Sequence, residues 1–221
     1  MPLLKEEDKE YLTKLFSERL KNKVKIVMFT QKLECEYCKP TEDILKEIAE
    51  LSDKIELEIH NFIEEKEVAD KYHVDKIPAV LILGEDGKDY KVRFFGIPSG
   101  YEFTSLVEDI IDISREETDL TPETKDKLSK IDKPIHIQVF VTPTCPYCPS
   151  AVRIAHKLAI ENDFIRSDMI ESIEFPYLAN KYGVYGVPKV IINEEIEFEG
   201  ALPESTFVSF VEEAYKKVSK L

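Results

Sequence analysis

The chain of 221 residues has no apolar run near the ~18 residues that a helix needs to span a bilayer, and so offers no membrane segment. It has no basic excess either. Thirty Lys and Arg stand against 44 Asp and Glu, for a formal net charge of −14. Nucleic-acid binding, which needs a basic face for phosphate, is disfavoured on that ground. The acidic excess is spread along the sequence and reads as a solvated surface. The opening Met1-Pro2-Leu3-Leu4-Lys5-Glu6-Glu7-Asp8 lacks the charged-then-apolar pattern of a secretory leader, so a cytoplasmic protein is expected. Glycine is scarce, at seven residues, and Lys and Glu are abundant, a composition that suits a thermophile. There is no low-complexity tract. Cysteine is also scarce, but its placing is not random.

All four cysteines fall in two short pairs, Cys35-Glu36-Tyr37-Cys38 and Cys145-Pro146-Tyr147-Cys148. Each pair is followed at one identical spacing by a proline, Pro78 or Pro188. Laying residues 35–82 over 145–192 without gaps gives sixteen identities in 48 positions, where random pairing would give roughly three. Among them are Ile44/Ile154, Asp53/Asp163, Glu64/Glu174, Tyr72/Tyr182, Val74/Val184 and Val80/Val190. The period is too long for a solenoid, and each copy is long enough for a core of its own. Two domains are expected, residues 1–117 and 118–221, with the polar stretch 114–119 as linker.

Hydrophobic spacing predicts the elements. In the first copy we expect a helix over 6–20, a buried strand over 24–29, a helix over 38–51, a strand over 55–59, a short helix over 64–72, a strand over 79–83, a turn at 84–87, its partner strand over 90–95 and a helix over 101–113. The second copy repeats this order. A helix over 121–131 starts from Thr121, a good N-cap, with Pro122 at the first helical position. A strand over 135–141, a helix over 147–161, a strand over 164–170, a helix over 174–182, strands over 189–193 and 195–199, and a helix over 204–218 follow.

Each copy thus reads helix, then β-α-β-α-β-β-α, with the dithiol at the first strand-to-helix turn. That order resembles the thioredoxin fold, and Cys-Pro-Tyr-Cys is the glutaredoxin form of its motif. The tandem arrangement, with both dithiols intact, is similar to the protein disulfide oxidoreductases of hyperthermophiles. The resemblance covers essentially the whole chain. It implies an α/β fold class with two tandem thioredoxin-like folds, each a central mixed four-stranded sheet flanked by helices.

The chemistry needs these residue types at this spacing. The nucleophile of disulfide exchange is the thiolate, and a helix N-terminus stabilises its negative charge. Cys35 and Cys145 lie just before the helical pattern and are read as attacking thiols. Cys38 and Cys148 fall in the first turn, where each can resolve a mixed disulfide. Glu34 and Glu36 disfavour the Cys35 thiolate, partly offset by Lys39, whereas Cys145 has no acidic neighbour; a lower pKa is expected for Cys145. The resemblance implies that Ile77-Pro78 and Val187-Pro188 are cis dipeptides that pack on the dithiols and dock extended substrate. Tyr37 and Tyr147 are expected at the rims.

Two departures from the family pattern stand out. The strands before the dithiols offer Lys25, His136 and Gln138 where thioredoxins carry a buried Asp proton acceptor. Gly96-Ile97-Pro98-Ser99 and Gly200-Ala201-Leu202-Pro203 replace the Gly-Gly-x-Asp element of glutathione-using glutaredoxins, which favours protein dithiols as substrates. No cofactor is expected, since the dithiols themselves cycle, and no metal. Expected partners are protein thiols and disulfides and a thioredoxin-reductase-like flavoprotein. Three rival readings compete with this one. Zinc held by both pairs meets the objection that structural sites place the pairs ~15–20 residues apart. A non-catalytic acidic binding protein would need no dithiols. An electron carrier to a peroxidase would resemble the tandem domain of the alkyl hydroperoxide reductase flavoprotein, which keeps one dithiol. His60, His73, His136 and His156 follow no ligand or catalytic pattern and read as surface or core residues.

Overall fold

The computed structural model describes residues 3–220. Helix α1 (Glu6–Arg19) opens with three acidic residues in its first turn and buries Leu12 and Phe16. Then come β1 (Val24–Thr30), α2 (Cys38–Ala49), β2 (Ile55–Asn61), α3 (Lys66–Lys71), β3 (Ala79–Leu83), β4 (Asp89–Phe95) and α4 (Glu102–Arg115). The second half gives α5 (Pro122–Leu128), β5 (Ile135–Val141), α6 (Cys148–Glu161), β6 (Ile165–Glu171), α7 (Pro176–Lys181), β7 (Lys189–Ile192), β8 (Ile196–Glu199) and α8 (Glu204–Val218). Every expected helix and strand is present. The short helices are trimmed: α7 starts only at Pro176, whose fixed φ suits the first helical position. The turn after β3 is a 3₁₀ turn with Asp86 and Gly87 at positive φ.

The two sets of four strands do not stand apart as separate sheets. They join in one eight-stranded sheet of order β2-β1-β3-β4-β6-β5-β7-β8. The join is a parallel ladder between β4 and β6, with Val92 opposite Ser167 and Phe95 opposite Ile170. The reason lies in the edges. The outer strand β2 carries Glu56 and Glu58, and β8 carries Glu197 and Glu199, charges that protect a free edge. Strand β6 instead holds Ser167, Met169 and Ile170, all fully buried. Its buried Asp168 is matched by Arg166 and His136.

Side chains alternate across the pleat. Ile26, Met28, Val80, Ile82, Ile137 and Val139 enter a core that continues through α1, α2, α4, α6 and α8 of both halves. Val27, Phe29, Leu81 and Phe140 enter a second core on the opposite face, under Ala69 and Phe175. The segment 114–119, expected as a linker, is partly built into the fold. Ser114 ends inside α4 and is buried, and its hydroxyl accepts from the backbone N–H groups of Lys21 and Asn22. Thr118 is buried and donates to Glu161.

Strand directions decide where the chemistry sits. β1 is antiparallel to β3, β3 to β4, β4 is parallel to β6, and β6 to β5. β1 and β5 therefore point the same way. Each dithiol follows the C-terminal end of its strand, so both lie at the same end of the sheet. Four strand spacings separate them, roughly 19 Å along the sheet.

Candidate active site

In each half the chain leaves a strand, passes the first cysteine and enters a helix at the second. Cys38 and Cys148 are the first residues of α2 and α6. Each pair is closed as a disulfide, with Cα–Cα separations of 5.4 and 5.5 Å. In the second half the Cys148 backbone N–H points at Cys145 Sγ across 3.1 Å. This is the unpaired donor expected at a helix N-terminus, and it stabilises charge on that sulfur. Val187 O lies 3.7 Å from the same sulfur. Ile77-Pro78 and Val187-Pro188 are both cis. Each proline carbonyl is tied to the loop after the hairpin: Gly96 N–H donates to Pro78 O at 2.9 Å, and Gly200 N–H to Pro188 O at 2.8 Å.

The two sites differ in cover and charge. Cys145 is 7% exposed and Cys148 fully buried, whereas Cys35 is half-buried. Tyr37 packs half-buried beside the core and Tyr147 stands out, 69% exposed. Cys35 opens onto a groove lined by Lys32, Lys39, Glu42, Glu64 and Glu65. Glu34 and Glu36 are exposed next to it. Lys39 lines the same groove, and its ammonium is paired with Asp43 one turn along α2. Tyr37 has its phenol pushed up, first by the charge of Glu36 and then by burial and by Glu174 and Glu171.

Lys25, His136 and Gln138, the polar residues of the strands before the dithiols, are all engaged elsewhere. Lys25 pairs with Glu58 at 2.9 Å, His136 with Asp168 at 2.7 Å and Gln138 with Glu194 at 3.0 Å. His60 sits between Glu58 and Glu65. Among the described residues no group of three or more His, Cys, Asp or Glu side chains is placed to hold a metal.

What sequence reasoning missed lies at the junction of the halves. On one face α4 meets α6. There the buried His156 donates from Nδ1 to Asp109 at 2.5 Å, and Arg153 engages Asp109 and Asp112. Burial, with Arg153 beside it, pushes the imidazole down to about 3, so it is neutral at ordinary pH. At the dithiol end, Glu171 and Glu174 follow β6 and press on the loop after β4. A Cβ at Gly96 (φ +94°) would fall 2.5 Å from that of Glu171. A Cβ at Gly100 (φ +61°) would fall 2.2 Å from the backbone oxygen of Pro143, two residues before Cys145. The only sequence signal here is the Glu64/Glu174 identity, which carries no sign of burial.

Two dithiols, each at a helix start on its own thioredoxin fold and each with a cis proline in the same half, define the class of thiol–disulfide oxidoreductases. The chain belongs to the thioredoxin family: the family's domain model matches residues 22–108 and again 135–212. A protein disulfide oxidoreductase from Aeropyrum pernix is 32% identical, with a TM-score of 0.89 over 96% of this chain and 94% of that one. The alkylhydroperoxide reductase AhpF of Enterococcus faecalis is 27% identical, with a TM-score of 0.86 over 93% and 98%. Its namesake in Xanthomonas campestris pv. phaseoli, also an alkyl hydroperoxide reductase component, is 26% identical over 160 residues, 72% of this chain and 28% of that protein. The chain spans less than a third of the length of that relative and of the NADH dehydrogenases that it also matches. Among the described residues no helix is long and apolar enough to cross a membrane.

Proposed function

We propose that this chain is a protein disulfide oxidoreductase that reduces, forms and rearranges disulfides of protein substrates. The observation that carries the reading is a closed dithiol at a helix N-terminus, twice, at the same end of one sheet, with a cis proline in each half and Val187 O 3.7 Å from Cys145 Sγ. The thiolate of Cys145 attacks a substrate disulfide and releases one substrate thiolate. Cys148 then attacks Cys145 Sγ, closes the ring and releases the second. Two electrons pass to the substrate, and the two thiol protons end on its cysteines. The Cys148 N–H supports the attacking charge. Cys35 and Cys38 take the same roles in the first site. Ile77-Pro78 and Val187-Pro188 offer backbone to the extended substrate, and Tyr37 and Tyr147 shape the rims. The dithiols carry the electrons, so the exchange itself calls for no organic cofactor.

Recharging falls to a thioredoxin-reductase-like flavoprotein. That assignment is supported by relatives whose names describe reductases and dehydrogenases. The proposed compartment is the cytoplasm, where thiols are kept reduced and dithiols are catalytic rather than structural. The boundary between units is placed at 117/118, between Ser114, which closes the first unit, and Thr118, which is held by α6. A second reading, an electron carrier to a peroxidase, rests on the likeness to the alkyl hydroperoxide reductases.

The test is dithiol-driven reduction of a protein disulfide by wild type, Cys35→Ser and Cys145→Ser. Cys145→Ser is expected to lose at least roughly a hundredfold, as removal of a nucleophile does, and Cys35→Ser to lose only a few-fold. A wild type that reduces a peroxidase but no other protein disulfide favours the carrier. A wild type inert to both overturns the enzyme reading.

A further inference from the structure

Glu64 and Glu174 occupy the same place in the repeat, yet they live in different surroundings. Glu64 is exposed beside the open groove of the first dithiol. Glu174 is turned into the junction, where its Oε1 accepts the Ile97 backbone N–H at 2.6 Å and its own N–H donates to Glu171 Oε2 at 2.6 Å. Glu171 is 2% exposed, and Asn61 stands at its place in the first half. One oxygen of each carboxyl, Glu171 Oε1 and Glu174 Oε2, is buried without a partner. An orphaned buried oxygen costs on the order of 1–3 kcal/mol, more when charged, so the site favours the protonated form.

The pair belongs to the second half by chain and to the first half by place. The Ile97 N–H that it holds follows Gly96, and Gly96 donates to the carbonyl of Pro78. The two carboxyls also act on the charge of Tyr37, inside the Cys35–Cys38 loop, and Glu174 feels Glu36 in the same loop. The second half's counterpart loop carries nothing comparable: no atom lies within 4 Å of where a Cβ would stand on Gly200. The acid is thus built into one site only, in trans.

We propose that Glu174, backed by Glu171, is a positioning residue of the first dithiol: its charge state sets the thiolate content of Cys35, and its carboxyl fixes the Gly96–Ile97 turn against Pro78. Burial, opposed by the Ile97 hydrogen bond and helped by Glu171 and Glu36, pushes the Glu174 carboxyl up to about 7. Burial raises Glu171 as well. The groups facing Glu174 are Glu171 from β6, Glu36 and Tyr37 from the loop before α2, and the backbone after β4; none of them is cationic. Near neutral pH Glu174 therefore loses its proton, below the ~8.5 at which a free thiol ionises. The new negative charge opposes the thiolate, so Cys35 ionises over a broad, two-step range.

The inference rests on dithiol chemistry at Cys35 and not on any substrate, so its test uses alkylation alone. Reduced full-length protein carrying Cys145→Ser and Cys148→Ser is treated with iodoacetamide as a function of pH, and Cys35 modification is followed by mass spectrometry. Wild-type surroundings are expected to give the broad curve. Glu174→Gln should give one steeper step and a roughly three- to tenfold faster reaction just above neutrality, equivalent to half to one pKa unit. Glu171→Gln, read the same way, covers the case in which Glu174→Gln does not fold, and should shift the curve in the same direction. Folded variants whose pH curves superimpose on the parent, or whose Cys35 reacts more slowly, overturn the proposal. A protein that fails to reduce protein disulfides while showing these curves sinks the enzyme reading and leaves this inference standing.

Discussion

The two dithiols are the same device placed in different electrostatic surroundings. The second is nearly buried, its cysteine receives a backbone N–H at 3.1 Å, and prolines flank it on both sides. The first is half-open, ringed by Glu34, Glu36, Glu64 and Glu65, and overlooked by the buried Glu171–Glu174 pair of the other half. Of the two lysines in its groove, Lys32 and Lys39, the second is paired with Asp43. Duplication supplied two equal frames. What separates them is that the second copy donates its β6 edge to the first, while its own outer edge stays free. Tandem joining by sheet extension is asymmetric by construction, and so one site gains a neighbour that the other cannot have.

The sharpest way to break this comparison is to loosen the joint. Asp109 stands between Arg153 and His156 with no exposure. Asp109→Asn leaves the Arg153 charge short of its partner in the interior, which costs about 3–5 kcal/mol. Denaturant unfolding should show that loss, and splitting into two transitions would mean that the halves then unfold separately. A loss below about 1 kcal/mol would show that α4 and α6 are held by apolar packing alone.

A smaller effect sharpens the difference in charge. Glu36→Gln removes one of the two exposed acids that flank Cys35. The Cys35 thiolate should gain, and alkylation at neutral pH should quicken roughly two- to fivefold, since exposed charges are screened. An unchanged rate would place the whole difference between the sites in the buried pair. Smallest of all is a change on the rim of the second site. Tyr185 is 98% exposed, two residues before Val187. Tyr185→Ala should leave stability within about 0.5 kcal/mol and raise KM for a protein disulfide a few-fold with kcat kept. Equal loss for a small disulfide and for a protein disulfide would argue against a docking role.

Read alone, the chain carries the duplication, the two dithiols, the matched prolines and nearly every helix and strand. These are local matters. Apolar periodicity along 24–29 or 135–141 marks a strand whatever lies beyond it, and two cysteines three apart mark a dithiol. The cis form of Ile77-Pro78 and Val187-Pro188 came from likeness to a family and is present in the fold. The limits show at single residues. Lys39 is as near in sequence to Cys35 as to Asp43, and only the helix phase, which stacks residues four apart, sends it to Asp43. Ser114 looks like linker polarity and is a buried acceptor for a loop more than ninety residues away.

Glu64 and Glu174 make the division plain. They are one letter at one repeat position, and nothing local distinguishes them. Burial depends on what packs opposite, and for Glu174 that is the Gly96–Ile97 loop, 77 residues earlier in the chain. The pairing of β4 with β6 brings the two together. The acids along β2 and β8 keep those edges in solvent, whereas Asp168 of β6 is matched by Arg166 and His136 and can be covered. The motif and its chemistry are therefore written in sequence, while the unequal tuning of its two copies is a property of the assembled sheet.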